Sequence, residues 1–219
     1  MTVGTGRVDV SRYRDWLDRR GHLDRPWLIL GSAPSPTLPD KVLEGRARVD
    51  INNAGRTARE LGLGRADLTF RARKKPWTEH LHLDTDALLW IHALPWWAVR
   101  LDLLRRPTDH VGSVRTLPAQ DREALVLQQS GVSVAQIGEL GKVTNGVAAL
   151  CFGLALGVPA VALAGVSLTA AGHSYDDRGR LRKQVDEDTT VLRALASRPG
   201  VETTEADLAA TTGIRLVAQ

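Results

Sequence analysis

The sequence predicts an α/β fold: one Rossmann-like domain with a mainly parallel sheet flanked by helices. Three observations carry this. Short apolar runs such as WLILG (27–31) and PAVALAG (159–165) have the length and composition of strands buried on both faces. Between such runs lie segments with helical periodicity, and strands alternating with helices imply βαβ units with right-handed crossovers. The chain of 219 residues suits a single domain, taken here as 1–219, and no repeat, low-complexity tract or boundary divides it.

The elements follow in order. DVSRYRDWLDRR (9–20) reads as an amphipathic helix with Ser11 as N-cap, stopped by Pro26. WLILG is the first strand, and the loop after it, SAPSPTLPD, is rich in Ser and Pro. ARVDINN (47–53) is the second strand, and AGRTARELGLG is a helix closed by Gly62 or Gly64. ADLTF (66–70) and ALLWIHAL (87–94) are the third and fourth strands. Residues 71–142 mix prolines and tryptophans with Arg and Lys, and are expected to form a less regular, lid-like acceptor region decorating the sheet. Order returns with VTNGVAALCFGLALG, a helix with small residues on one face, and PAVALAG, a strand. DEDTTVLRALAS (186–197) is a helix whose acidic start suits the positive end of its dipole. A short strand is expected in the tail before TGIRLVAQ.

Composition excludes several classes. The apolar fraction of 43% and charged fraction of 25% are those of an ordinary globular protein. Lys and Arg number 29 against 25 acidic residues, a net charge of +4 that suits an anionic ligand, while no RNA-binding or zinc-finger pattern accompanies it. Cys151 is the sole cysteine, which excludes a disulfide framework and a thiolate metal cage; in an apolar helix it reads as an inert core residue. The start MTVGTGRVDVSRYRDW lacks the apolar core of a secretory signal. The apolar stretch 147–166 is broken by Gly153, Gly157, Pro159 and Gly165, so it reads as helix, turn and strand. A cytoplasmic location is the expectation.

In a parallel sheet, ligands bind beyond the carboxyl ends of the strands. That rule directs attention to GSAPS (31–35), to INNAG, and to GVSLTAAGHSYDD (165–177). Small residues in GSAPS let backbone N–H groups approach a phosphate, though the loop is neither a dinucleotide fingerprint nor a Walker loop. Asn52 and Asn53 offer amides suited to a ribose or base edge, or equally to a turn and a helix cap. Thr144, Asn145 and Gly146 open a helix whose free N–H groups can hold an anion or a base carbonyl, or simply cap it. HLHLDTD (80–86) places His80, His82, Asp84 and Asp86 at period two, a set able to bind metal, but it precedes its strand rather than following it. RARKK (71–75) reads as a solvated basic stretch, and Trp90, Trp96 and Trp97 as core, lid or sugar platform.

Taken in order, WLILGSAPS with VDINNAGRTARELGLGRADLTF, then VTNGVAALCFGLALGVPAVALAG, then His173-Ser174-Tyr175-Asp176 resembles the sialyltransferases of glycosyltransferase families 29 and 42. The resemblance covers residues 27–70 and 143–195. It implies a sialyltransferase-like enzyme, an inverting, metal-independent glycosyltransferase moving an acidic sugar from a CMP-activated donor to a hydroxyl acceptor on a glycan or small molecule. No cofactor beyond that donor is implied, and no nucleic acid or transmembrane segment. Gly31, Ser32 and Ser35 would lie against the phosphate, Asn52 or Asn53 against ribose or phosphate, and Thr144, Asn145, Gly146 and Gly165 around the nucleotide. Tyr175 would donate to the departing phosphate oxygen, with His173 and Asp176 beside it as catalytic groups. The family's base histidine has no counterpart: Lys183 stands at its place, a cation suited to phosphate, and no histidine follows His173. A catalytically inactive CMP-binding relative is the alternative reading. Sialic acid, Kdo and other CMP-activated acids all fit, and oligomeric state is open.

Overall fold

Runs of apolar residues too short for helices and lacking polar alternation can be satisfied only between two covered faces. The computed structural model, which describes residues 7–72, 82–106, 109–169, 172 and 183–217, arranges them in that way. Among the described residues eight strands form one sheet: β1 (Trp27–Leu30), β2 (Ala47–Ile51), β3 (Ala66–Ala72), β4 (Asp84–Ile91), β5 (His110–Leu117), β6 (Val161–Ala164), β7 (Val201–Thr203) and β8 (Arg215–Leu216). Their order is β5-β4-β3-β2-β1-β6-β7-β8, and all seven pairings are parallel. The helices are α1 (Ser11–Asp18), α2 (Asp40–Leu43), α3 (Ala54–Glu60), α4 (Trp96–Leu103), α5 (Ala119–Ser130), α6 (Asn145–Leu156), α7 (Val185–Leu195) and α8 (Ala206–Thr212).

Side chains alternate across the strands, so each face has its own core. Ile29, Val49, Phe70, Leu89 and Leu163 point to one face and pack with buried residues of α1, α5, α6, α7 and α8. Phe152 of α6 is central there. Its ring lies 5.5 Å from Tyr13, 6.0 Å from Phe70 and 6.3 Å from Trp27, aromatic geometry that adds to area burial. Gly153 gives α6 its close seat on the sheet: a Cβ there would stand 2.9 Å from the Trp27 ring. The opposite face divides. Leu28, Leu30, Ala162 and Ala164 pack with α2 and α3, whereas Leu88, Trp90 and Val114 pack with Val99 and Leu103 of α4. Between them β2 carries the buried pair Arg48 and Asp50, 3.0 Å apart, and Arg48 also donates to Gly64 O at 2.7 Å. A buried pair holds only with such extra partners.

The predicted fold class stands. Among the described residues of 71–142, β4, α4, β5 and α5 are regular. Among the described residues β5 is an edge strand, and its HVGSVRTL mixes polar and apolar residues because several of its side chains stay exposed. α5 starts directly after Pro118 and ends at Gly131, which adopts the left-handed conformation of a helix stop. Ser11 is the first residue of α1 rather than its cap: the Asp9 carboxylate takes the Ser11 N–H at 2.8 Å. α3 closes at Gly62 as anticipated, with Leu63 N donating to Ala58 O at 2.9 Å. α8 lies in the tail that was read only as strand. Among the described residues no helix is long and apolar enough to cross a membrane.

Candidate functional site

β1 has β2 on one side and β6 on the other, while the chain between them runs out to β5 and back. The strand order therefore reverses between β1 and β6, and the carboxyl ends of these strands flank a topological switch point. Two glycines meet there. A Cβ on Gly31 would fall 2.2 Å from Gly165 O, and one on Gly165, whose φ is +60°, would fall 2.9 Å from Gly31 O. Their N–H groups are already committed, Gly31 N to Ala164 O at 2.7 Å and Gly165 N to a Glu205 carboxylate oxygen at 2.6 Å. What the two glycines supply is close passage of backbone, not donors.

The loops of interest converge on this point. Val166 touches both the Gly31 and Gly146 positions, at 2.9 and 3.5 Å from the Cβ each would carry. Asn52 sits just past β2 with φ +56°, a conformation that Asn accepts better than most residues. Its Oδ1 accepts from Ala72 N and from Asn145 Nδ2, both at 2.9 Å. That bridge joins the end of β2 to the start of α6. Thr144 stands at the N-cap position without a side-chain cap bond, and its own N–H goes to Asp188 Oδ1 at 2.7 Å. The first-turn N–H groups of α6 are thus presented toward the Asn52 side with no side-chain cap. A helix start of this kind offers donors and partial positive charge to an anion.

The other predicted residues fall as follows. Ser32 and Ser35 lie on the loop after β1, Ser32 half-buried and Ser35 exposed with φ +51°. Asn53 is fully buried, its Oδ1 holding Arg71 Nη1 at 2.8 Å, so Asn52 rather than Asn53 is presented to the crevice. Lys183 is exposed and lies 3.4 Å from Glu139. His173, Tyr175 and Asp176 lie outside the described residues, as does His80. Asp84 and Asp86 are at the amino end of β4 and engaged, Asp84 by Arg65 at 3.2 Å and Asp86 by His22 at 2.9 Å. No cluster of three metal-ligating side chains occurs among the described residues. Cys151 is fully buried, and burial pushes its thiol up to about 12, which leaves it protonated and inert.

Three residues at the site, Glu205, Asp188 and Glu187, are not marked as site residues by the sequence. Glu205 follows β7 and ties three elements together, accepting from Gly165 N, from Thr37 N at 3.1 Å and from Thr37 Oγ1 at 3.1 Å. It would have been found by the same carboxyl-end rule had VETT been placed as a central strand. Asp188 and Glu187 were read as dipole partners of α7. They instead hold the segment leading into α6, Glu187 accepting from Leu140 N at 2.9 Å and Gly141 N at 3.0 Å.

The fold and the crevice together define a doubly wound parallel α/β protein whose switch point joins a glycine-lined cleft to an uncapped helix start. Among solved structures, this chain is similar to the monofunctional alpha-2,3-sialyltransferase Cst-I from Campylobacter jejuni, at 12% identity over 88% of this chain and 81% of that one, with a TM-score of 0.52. It is similar to a point variant of the sialyltransferase Cst-II in complex with CMP, at 13% identity over 89% and 86%, with a TM-score of 0.50. At these identities the likeness is one of fold. No family model matches the chain, and no curated protein matches it.

Proposed function

We propose that the protein is a glycosyltransferase that takes a sugar from a CMP-activated donor and passes it to a hydroxyl acceptor. The observation that carries this reading is the convergence of the Gly31–Gly165 crevice with the Asn52–Asn145 bridge at the start of α6. The fold shared with a sialyltransferase crystallised with CMP supports the donor class. In this reading the α6 N–H groups and the serines of the loop after β1 hold the phosphate against the glycine-lined crevice, and Asn52 and Asn145 meet the ribose or phosphate. Thr144 and Gly146 flank the nucleotide. The leaving group is a phosphate monoester, so catalysis needs positive charge and donors where negative charge develops. The helix start supplies part of that, Tyr175 donates to the departing oxygen, and His173 takes the proton from the acceptor hydroxyl, with Asp176 beside it. Transfer is inverting and uses neither metal nor cofactor.

A thermal-shift screen of nucleotides with and without metal tests the donor class. CMP or CDP stabilises the protein more than purine nucleotides do, and chelation changes nothing. Equal shifts from all nucleotides would refute it. His173→Ala abolishes transfer and leaves CMP affinity within about threefold, a free-energy change below 1 kcal/mol; unchanged turnover would remove His173 from the reaction.

A second reading, a nucleotide-binding protein without transferase activity, is favoured by one observation. Lys183, at the place of the family's histidine, is exposed and faces Glu139. Saturable CMP binding without donor hydrolysis or transfer across many acceptors would establish it.

A further inference from the structure

The α4 helix has two apolar sides, and only one of them is covered. Val99 and Leu103 face inward onto Leu88, Trp90 and Val114. On the outside, Trp97, Leu101 and Leu104 follow the i, i+4, i+7 spacing of one helical line and are 56%, 57% and 70% exposed. Trp96, the first residue of α4, and Leu94, two residues before it, extend the patch at the head of the helix with 47% and 50% exposure. Five large apolar side chains exposed together mark a surface that meets something other than water.

The surroundings state what it meets. Arg115 stacks over the Trp96 ring at 5.1 Å and over Trp16 at 5.7 Å, with Arg12, Arg19 and Arg20 near enough to repel its charge. Arg100 binds the carbonyls of Val111 and Gly112, and Arg105 is exposed one residue beyond Leu104. Three carboxylates on the surrounding elements are paired, Asp109 by Arg106 at 2.5 Å, Asp86 by Arg20 at 3.3 Å and Asp121 by Arg12 at 3.9 Å, while Asp15 and Asp18 on α1 are exposed. Asp102 is the exposed carboxylate on α4 itself, whereas Arg19, Arg100, Arg105 and Arg115 have no carboxylate partner among the described residues. Tryptophan and leucine on a short helix, rimmed by arginines, is the pattern of a helix lying in the headgroup layer of an anionic bilayer. The rings sit at the interface, and guanidinium groups reach the phosphates. A second copy is a poor occupant, because a two-fold contact through this stripe would bring two arginine-rimmed patches of like charge together.

We infer that the outward face of α4, from Leu94 to Leu104, docks on the surface of an anionic lipid bilayer. The inference is independent of the donor reading, since it uses no residue of the crevice.

Co-sedimentation of the full chain with vesicles tests it. Vesicles of phosphatidylcholine and phosphatidylglycerol pellet the protein, vesicles of phosphatidylcholine alone pellet it much less, and added salt weakens binding. Combined Trp97→Ser, Leu101→Ser and Leu104→Ser lowers partitioning at least about tenfold, while the single variant Arg105→Glu lowers binding to anionic vesicles by roughly tenfold. The single variant decides the matter if the triple one fails to fold. Absence of binding to anionic vesicles, or binding untouched by Arg105→Glu, overturns the inference. So does a concentration-dependent rise in mass without vesicle binding, which would assign the face to self-association.

Discussion

Replacing Gly31 by alanine tests whether the ends of β1 and β6 are closed on one another. Gly31 is not among the residues with positive φ, so an alanine there meets no intrinsic backbone penalty and the effect is steric. Its Cβ would lie 2.2 Å from Gly165 O, 2.8 Å from Gly165 C and 2.9 Å from a Val166 methyl, against the 3.4 Å at which ordinary contact begins. Two of the three obstacles are backbone, held by the Gly31–Ala164 and Gly165–Glu205 hydrogen bonds, so neither yields by changing rotamer. Overpacking of this kind costs about 3 kcal/mol, the upper end of its usual range. In a chain of this size each kcal/mol is worth roughly 2–4 °C, so the midpoint falls by about 6–12 °C. Gly62→Ala is the control. Its φ is +70° but nothing lies within 4 Å, so only the backbone penalty of about 1 kcal/mol applies. Calorimetry gives both midpoints, and titration with CMP gives both affinities; Gly31→Ala loses binding and Gly62→Ala keeps it. A Gly31→Ala midpoint no lower than that of the control, with CMP binding intact, would refute the closed crevice.

Other predictions follow from neighbouring features. Asn52→Asp keeps an Oδ acceptor for Ala72 and Asn145 but sets a negative charge before the α6 N-terminus, so CMP affinity drops about tenfold, 1.4 kcal/mol; equal titration curves would count against the Asn52 role. Burial outweighs Arg48 and raises the Asp50 carboxyl above its ordinary value. Its contribution is therefore fully present below the ordinary carboxylate range and is lost as pH rises through the folded value. The stability deficit of Asp50→Asn, read from urea midpoints between about pH 4 and about pH 7, accordingly shrinks as pH rises, and a growing deficit would reverse the sign. Phe152→Ala opens a hole among Tyr13, Trp27 and Phe70 and costs about 3–5 kcal/mol by denaturant titration. Cys151 reacts with a thiol reagent only after unfolding; rapid labelling of the native protein would contradict its burial.

What the sequence disclosed was whatever rests on local pattern. The runs at 27–31 and 159–165 could be nothing but buried strands, and Gly62 and Gly157 announce their helix ends through the left-handed conformation. The carboxyl-end rule led to Gly31, Asn52 and Gly165, which lie at the ends of β1, β2 and β6. It could not say which asparagine faces the crevice, because that depends on Arg71, buried 18 residues away and holding Asn53. Nor could it find Glu205, whose partners at Thr37 and Gly165 are set by sheet order alone. β5 was missed for the opposite reason: several of its side chains stay exposed, so no apolar pattern marks it. Sequence leaves Trp97 open between core, lid and sugar platform, and it does not set the outer stripe of α4 apart, since Trp97, Leu101 and Leu104 are apolar like Val99 and Leu103 and only the three-dimensional packing separates them.

The placement of β1 between β2 and β6 has a consequence for biosynthesis. Its first neighbour is encoded 20 residues downstream and its second 134 residues downstream, as the pairing of Trp27 with Ala47 and with Val161 shows. As the polypeptide leaves the ribosome, five strands can assemble while one flank of β1 still exposes bare amides and carbonyls to any passing strand. Synthesis of β6 covers that flank and creates the cleft in the same event. A chain interrupted before residue 161 thus lacks the cleft and is adhesive, and quality-control factors have a defined interval in which to act on it.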